Sequence, residues 1–342
     1  MLNFVACERR LLEDDVIITN GAKIPLSIFW TKAGIIPQNV TVLVYDEGGY
    51  LYLEKIFENR GTSVNTDIYL PVGKYTLVTF NEKRDQIDYV RMRGHEHLST
   101  LEAFVTTTKT TYSSPLSSED DIKVEQPGPL AVAMDTITVT QQDVENTRLS
   151  ALGKAPVGST LKMEIFPIIK TYKVNITIHV LGICNSRLPV LGELRNNAGG
   201  YLLGEDKNSS QPVTIQFLLS NCVYTDEAKR DGKLITTITS FGIPGSRLMT
   251  DDIDRRIILN LSFQLVDKER TVISFSLDVT NTLKIKQNDD MSITIDLTID
   301  QSLYPELKLP DVIPEQGGGN GGGSGMVSEL IDWESISVPI AL

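Results

Sequence analysis

Cysteine, histidine and clustered basic residues are what this sequence has least of. Three cysteines in 342 residues are too few for a disulfide scaffold. Three histidines leave little for a metal site or for imidazole catalysis, and no Gly-x-Ser-x-Gly elbow is present to expose a serine nucleophile. Acidic residues outnumber basic ones, 44 to 32, giving a net charge of −12 and a pI near 4.8. Phosphate-rich partners are engaged by Lys/Arg clusters, so neither nucleic acid nor an anionic membrane surface is expected as a partner. No apolar run reaches the roughly 18 residues that a membrane-spanning helix needs. Helical periodicity is also nearly absent, since Thr140 to Leu149 and Leu188 to Leu194 read as short helical turns at most.

What the chain has instead is strand period. Leu26, Ile28 and Trp30 alternate with Ser27, Phe29 and Thr31. Val40 to Tyr45, the turn Asp46-Glu47-Gly48-Gly49 and Tyr50 to Leu53 read as a hairpin. Thr66 to Leu70, Pro71-Val72-Gly73 and Lys74 to Phe80 read as a second one, and Pro129 to Thr140 resumes strand character after a polar loop over Ser113 to Gly128. Further on, Val174 to Val180, Leu259 to Leu265, Ile273 to Val279 and Ile293 to Ile299 each place apolar side chains on one face only. One-sided alternation predicts an all-β protein of antiparallel sheets with one wet face, packed as sandwiches. A length of 342 residues suits two such domains, with the boundary near residues 143 to 156. The reading is a tether over 1–15, an N-terminal sandwich over 16–150 and a C-terminal sandwich over 151–342.

The two ends stand apart from this pattern. Phe4-Val5-Ala6 precedes Cys7, and Glu8-Arg9-Arg10 follows it. A small residue before Cys at the close of an apolar stretch is how a bacterial lipoprotein signal ends, so Cys7 is the candidate lipidation site and the lipid the expected contact with a membrane. The basic and apolar regions of such a signal would lie upstream of this point. Near the other end, residues 317–325 form a Gly-rich linker, whose mean span is roughly 15 to 18 Å. After it Ile336, Val338, Ile340 and Leu342 fall on one face of a strand-patterned segment, with Ser335, Ser337 and Pro339 on the other. Such a strand needs a sheet, either the chain's own or that of a neighbouring molecule. Cys184 and Cys222 each follow an apolar run and are expected as free, buried thiols.

Catalytic chemistry is thin. His95-Glu96-His97 could turn two imidazoles to one side of a strand, but no third and fourth ligand at suitable spacing accompanies them, and loop histidines are usually solvated. No metal, cofactor or catalytic residue is therefore assigned, and an enzyme is not expected. Tyr50, Tyr52, Tyr112, Tyr201 and Tyr224 are candidates for stacking on sugar rings, against the ordinary role of strand tyrosines as packing residues.

The lipobox-like Cys7, Lys23-Ile24-Pro25-Leu26-Ser27-Ile28-Phe29-Trp30, Val40 to Tyr45 with its acidic Gly turn, and Ile68-Tyr69-Leu70-Pro71-Val72-Gly73-Lys74-Tyr75 together resemble the fimbrillin-like lipoproteins of Bacteroidales. Tyr172 to Leu181, Thr239-Ser240-Phe241-Gly242 and Asp332-Trp333-Glu334 after the Gly-rich stretch extend the likeness to the uncharacterised two-domain members. The resemblance implies two tandem transthyretin-like β-sandwiches and a lipid-anchored protein of the outer membrane, exposed at the cell surface in a fimbrium. It also implies a role as pilus subunit or accessory in adhesion or biofilm, with other fimbrial subunits or further copies of itself as partners. In polymerising members a trypsin-like protease removes the first strand, and a donor strand from the next subunit fills the groove. The loop where those proteins carry Arg, here Thr31 to Gln38, offers Lys32 as the cleavage position, while Arg60 lies one hairpin later. The candidate donor side chains are Ile336, Val338, Ile340 and Leu342. The alternative reading is a monomeric surface lipoprotein that binds glycan for an outer-membrane uptake system, and a hydrolase is a remote third.

Overall fold

Along Ala22–Phe29 the two-residue period sets burial directly: Ala22, Ile24, Leu26 and Ile28 are buried, and the residues between them are half-buried. The computed structural model describes residues 21–108, 114–116, 120–154, 161–245, 256–288 and 292–314. Cys7, the Gly-rich linker 317–325 and the segment carrying Ile336, Val338, Ile340 and Leu342 lie outside the described residues.

In chain order the first half supplies β1 (Ala22–Phe29), β2 (Asn39–Tyr45), β3 (Leu51–Glu58), β4 (Ser63–Leu70), β5 (Gly73–Asn81), β6 (Val90–Arg93), β7 (Glu102–Val105), β8 (Lys123–Val124), β9 (Ala131–Val139), helix α1 (Gln141–Ala151), β10 (Met163–Ile165) and β11 (Ile168–Ile169). The second half supplies β12 (Tyr172–Val180), β13 (Val190–Ala198), β14 (Gly200–Leu202), β15 (Lys207–Asn208), β16 (Pro212–Leu219), β17 (Asn221–Tyr224), β18 (Gly232–Ser240), β19 (Ile258–Gln264), β20 (Val272–Asp278), β21 (Leu283–Gln287) and β22 (Ile293–Ile299).

The sheets pack as two sandwiches, so the all-β class expected from the alternation is what the chain adopts. In the first, the three-stranded sheet β10-β1-β4 covers the five-stranded sheet β11-β9-β5-β2-β3. Their shared core includes Leu26, Trp30, Val42, Ile68, Leu77 and Val139. In the second, β17-β18-β12-β22-β21 packs on β20-β19-β13-β16-β8 around Val174, Ile176, Leu259, Leu261, Ile295 and Leu297. A fifth sheet, β15-β14-β7-β6, takes two strands from each half and ties them together. At its seam Gly200 lies opposite Phe104, and a Cβ on Gly200 would stand 2.4 Å from the Ala103 carbonyl oxygen. Only glycine lets the two backbones approach that closely.

Several expectations need correction. The segments around Pro71-Val72-Gly73 are not a hairpin: β4 pairs with β1, whereas β5 pairs with β2 and β9 in the facing sheet. Alternation could not separate a hairpin from an arch, because Ile68, Leu70, Tyr75 and Leu77 all face one core. Leu188 to Leu194 contributes not to a helical turn but to β13, whose residues Val190 to Glu193 are buried on both faces and so lose the two-residue signal. Thr140 to Leu149 belongs to a full helix, α1. Thr140 caps it by accepting from the Asp143 backbone N–H, while Asp143 accepts in return from Thr140. Only Val144 of α1 is packed against the core, which explains the missing periodicity.

Three pairings are parallel, β1 with β10, β12 with β22 and β8 with β16, so the sheets are mixed. Nor does every sheet keep a wet face: on β2, Val40, Val42 and Val44 serve the first core while Leu43 and Tyr45 serve the second. Finally, β10 and β11 pair back onto β1 and β9, so the strands change over between the sandwiches after Ile169, later than the boundary read at residues 150 and 151. The polar loop after residue 113 likewise contains β8, which joins the second sandwich.

Candidate functional site: the first strand and its loop

The first strand is where sequence and fold meet the function expected from them. β1 runs through the middle of its three-stranded sheet, with its whole length from Ala22 to Phe29 paired to β4 and Leu26 to Ile28 paired to β10. Ile24, Leu26, Ile28 and the following Trp30 are each no more than 1% exposed. Burying each such side chain contributes roughly 1.5 to 3 kcal/mol, so β1 does not leave this sheet spontaneously. If it were removed, β4 and β10 would stand two strand spacings apart, roughly 9 to 10 Å. The slot would be floored by Val42, Leu77 and Val139 from the opposite sheet. That is room for one strand, with side-chain positions at every second residue.

On the outer side of β1 the contacts are polar. Ser27 Oγ donates to Asn65 Oδ1 at 2.9 Å, and Lys23 Nζ pairs with Asp67 at 2.9 Å. The hydrogen bond from Lys23 to Asp67 and the carboxylate charge raise the Lys23 pKa. Both side chains are about two-fifths exposed, 43% and 40%, so the pair fixes register more than it stabilises. The Lys23 backbone N–H donates to Thr147 Oγ1 at 2.8 Å, which sets α1 across the start of the strand.

The loop after β1 is tight. Trp30 O accepts from both Ala33 N and Gly34 N at 3.1 Å, with Gly34 at φ +64°. Lys32 is exposed on this turn, and its ammonium rests 4.8 Å from the centre of the Phe166 ring. Phe166 in turn stacks on Phe29 at 5.1 Å, with the rings within 18° of parallel. Lys32 is therefore open to solvent yet held against the residue that follows β10. Arg60 is exposed and pairs with Glu58 at 3.2 Å.

Other residues singled out in the sequence fall elsewhere. Cys184 and Cys222 are free, but Cys184 is exposed and Cys222 half-buried, not enclosed as expected. Cys184 follows the short turn at Gly182 rather than continuing β12 into the core. His97 is used structurally: Nδ1 meets Ser99 Oγ at 2.8 Å, Nε2 meets Gly48 O at 3.1 Å, and its ring meets Tyr50 edge-on at 5.0 Å. Among the described residues no three His, Cys, Asp or Glu side chains are grouped to hold a metal ion. Tyr201 is buried with its hydroxyl donating to Asp206, Tyr224 is half-buried, and Tyr112 lies outside the described residues. Tyr50 and Tyr52 are exposed beside the edge strand β3, where Tyr52 leans on Tyr75 at 5.5 Å. A shallow charged recess of about 350 Å³ opens nearby between Glu54, Arg84 and Arg91. No helix among the described residues is long and apolar enough to cross a membrane.

Fold and site define an all-β protein of two strapped sandwiches with a clamped first strand. The sequence matches, over residues 6–218, the family described as a domain of unknown function, DUF5119, and the chain belongs to that family. No curated protein matches the chain. Among solved structures it is similar to a candidate adhesin from Bacteroides ovatus, with 19% identity, 87% of this chain and 98% of that chain covered, and a TM-score of 0.52. A protein from Bacteroides thetaiotaomicron named for polysaccharide binding is 14% identical over 81% of this chain and 90% of that one, with a TM-score of 0.46. The fimbrial anchor protein Mfa2 of Porphyromonas gingivalis is 11% identical over 80% and 95%, with a TM-score of 0.43. The first of these likenesses establishes a shared fold.

Proposed function

We propose that this chain is a cell-surface protein of fimbrial type, a pilus subunit or accessory in adhesion or biofilm rather than an enzyme. In this reading a lipid on Cys7 holds the uncleaved chain to the outer membrane. The name of the Bacteroides ovatus protein sharing its fold supports the surface role. One observation carries the assembly step: a single internal strand, β1, supplies the buried row Ile24, Leu26 and Ile28 and is followed in its loop by an exposed Lys32. A trypsin-like protease hydrolyses the bond between Lys32 and Ala33, after which β1 is held by non-covalent contacts alone. A donor strand from a neighbouring molecule, carrying Ile336, Val338, Ile340 and Leu342 at alternate positions, then takes its place. Backbone hydrogen bonds supply affinity and alternate side chains supply fit.

The test is treatment of purified protein with a trypsin-like protease, read by gel and mass spectrometry. Cleavage at Lys32 followed by SDS-resistant ladders is the expected result, and a stable monomer after that cleavage refutes assembly. Anchoring is tested separately by a palmitate analogue, whose incorporation is lost in Cys7→Ala. A second reading has its own observation, the exposed Tyr50 and Tyr52 at the β3 edge, which would suit stacking on a glycan. Tyr50→Ala with Tyr52→Ala would abolish glycan binding in that case and leave ladder formation untouched.

A further inference from the structure

β3 and β6 are each the last strand of a sheet, one in the first sandwich and the other in the bridging sheet. Their neighbouring ends are tied, since Leu51 N donates to Glu96 O at 2.9 Å and Leu98 N donates to Gly49 O at 2.8 Å. Past that tie the pairing of β3 with β2 shifts register between Val44 and Tyr45, and a bulge of this kind bends its strand. Among the described residues no ladder joins β3 to β6, and the recess of about 350 Å³ opens between them. By the two-residue period Glu54 and Ile56 share the face that lines it, opposite Arg91 and Met92 of β6. Lys83, Arg84 and Asp85 complete it from a turn in which Gln86 N donates to Lys83 O at 3.0 Å.

The charges of this recess do not balance. Arg84 has a carboxylate partner, Glu54, at 2.9 Å. Arg91 has no such partner: its Nη1 donates to the carbonyls of Ile87 at 3.1 Å and Val90 at 2.7 Å, and among the described residues no carboxylate pairs with it. Those bonds pin one corner of a half-buried guanidinium and leave its Nε and Nη2 donors unused. Glu82, at the start of the turn, is already engaged, accepting from Gln38 N at 2.6 Å and Asn39 N at 3.2 Å. Three cationic side chains thus meet two carboxylates, which leaves one positive charge in place on a protein whose net charge is −12. A guanidinium does not shed its proton to remove that surplus.

We propose that the recess between β3 and β6 binds a sugar bearing a single carboxylate, of the uronic acid class. Arg91 takes the carboxylate on its unused donors, whose planar fork matches that group. Ile56, 45% exposed, and Met92 offer an aliphatic surface to the C–H face of the ring. Glu54 and Asp85 accept from ring hydroxyls, and Lys83 donates to them. A phosphate dianion would bring one negative charge too many, and a fatty acid has no hydroxyl to offer either carboxylate. The volume is at the lower end of the roughly 300 to 1,000 Å³ usual for ligand sites, which suits one or two sugar rings.

This inference rests neither on strand exchange nor on the tyrosines beside β3. Tyr52 leans on Tyr75 of the first core, whereas Met92 packs against the second, so the recess and that tyrosine lie on different sides of β3.

The test is isothermal titration calorimetry of the full-length, uncleaved protein with methyl glucuronide, methyl glucoside and a triglutamate peptide. The two glycosides differ only in the carboxylate, and the glucuronide should bind at least tenfold more tightly than either other probe. Arg91→Gln should weaken it at least tenfold. Ile56→Glu, at an exposed position where folding is spared, should do the same, while Lys55→Glu on the opposite face should leave binding unchanged. Thermal unfolding checks each variant, and if Arg91→Gln fails to fold, Ile56→Glu decides. Equal binding of the two glycosides overturns the role of the carboxylate, and with it the proposal. Affinity that survives both recess variants overturns the site, and triglutamate binding as tightly as the glucuronide overturns the sugar class. Absence of saturable binding overturns the whole inference.

Discussion

Ile28 and Ile165 are direct partners in a parallel pairing, so the first described strand is fastened by a strand that follows the helix α1. Both side chains are fully buried in the same core. The N-terminal sandwich is thus completed by residues that sequence punctuation assigned to the C-terminal one. Ile165→Ala should destabilise the protein by about 2 to 4 kcal/mol, the range for truncating a buried isoleucine. Denaturant unfolding checks the value, and an effect under about 0.5 kcal/mol would mean that β10 does not clamp β1.

Access to Lys32 should depend on Phe166. The ring holds the ammonium and stacks on Phe29. An exposed cation–π contact is worth about 0.5 to 1 kcal/mol, so Phe166→Ala should speed tryptic cleavage after Lys32 by about two- to fivefold. Limited proteolysis with peptide mapping measures the rate. Unchanged cleavage would mean that the contact does not restrain the loop.

Helix α1 rests on its cap rather than on an apolar face. Thr140→Ala removes the acceptor for the Asp143 N–H and should cost about 1 kcal/mol. Thr140→Ser should recover most of it, read by thermal unfolding.

The seam between the sandwiches should fail at Gly200. A methyl there meets the Ala103 carbonyl, so Gly200→Ala should loosen the bridging sheet. Calorimetry should record a lower melting temperature and a broadened or divided transition. A single unshifted transition would contradict the strapping role of that sheet.

His179 gives a pH dependence with a definite sign. Burial lowers its pKa from the ordinary 6.5, Lys233 lowers it further, and Asp300 opposes them. The folded state therefore binds fewer protons than the unfolded state just below pH 6.5. Its contribution is undiminished above the unfolded value and declines as the pH falls through 6.5 toward the lower folded value. Urea midpoints between about pH 5 and about pH 7.5 should flatten in His179→Gln.

Much of this fold was legible in the sequence wherever a strand had one wet face. β12 and β22 follow the expected alternation closely, and the hairpin of β2 and β3 forms with its turn as read, whereas β19 alternates in sequence but buries Asn260 and Ser262 of its polar face as well. β13 was hidden because both its faces are buried, and α1 because almost none of it is. The arch at Pro71-Val72 and the return of β10 to β1 are choices of partner, which local pattern does not encode. At the candidate site the buried row Ile24, Leu26 and Ile28 was visible as period, and Lys32 as the lone basic residue of its loop. The clamp on both sides of β1 and the role of Phe166 arise from contacts distant in sequence.

Native mass spectrometry of the protein after cleavage at Lys32 tests strand replacement most directly. The expected result is loss of the fragment ending at Lys32 in step with the appearance of multimers, one fragment released for each subunit added. A cleaved monomer that keeps its fragment, or multimers that retain every fragment, would contradict it.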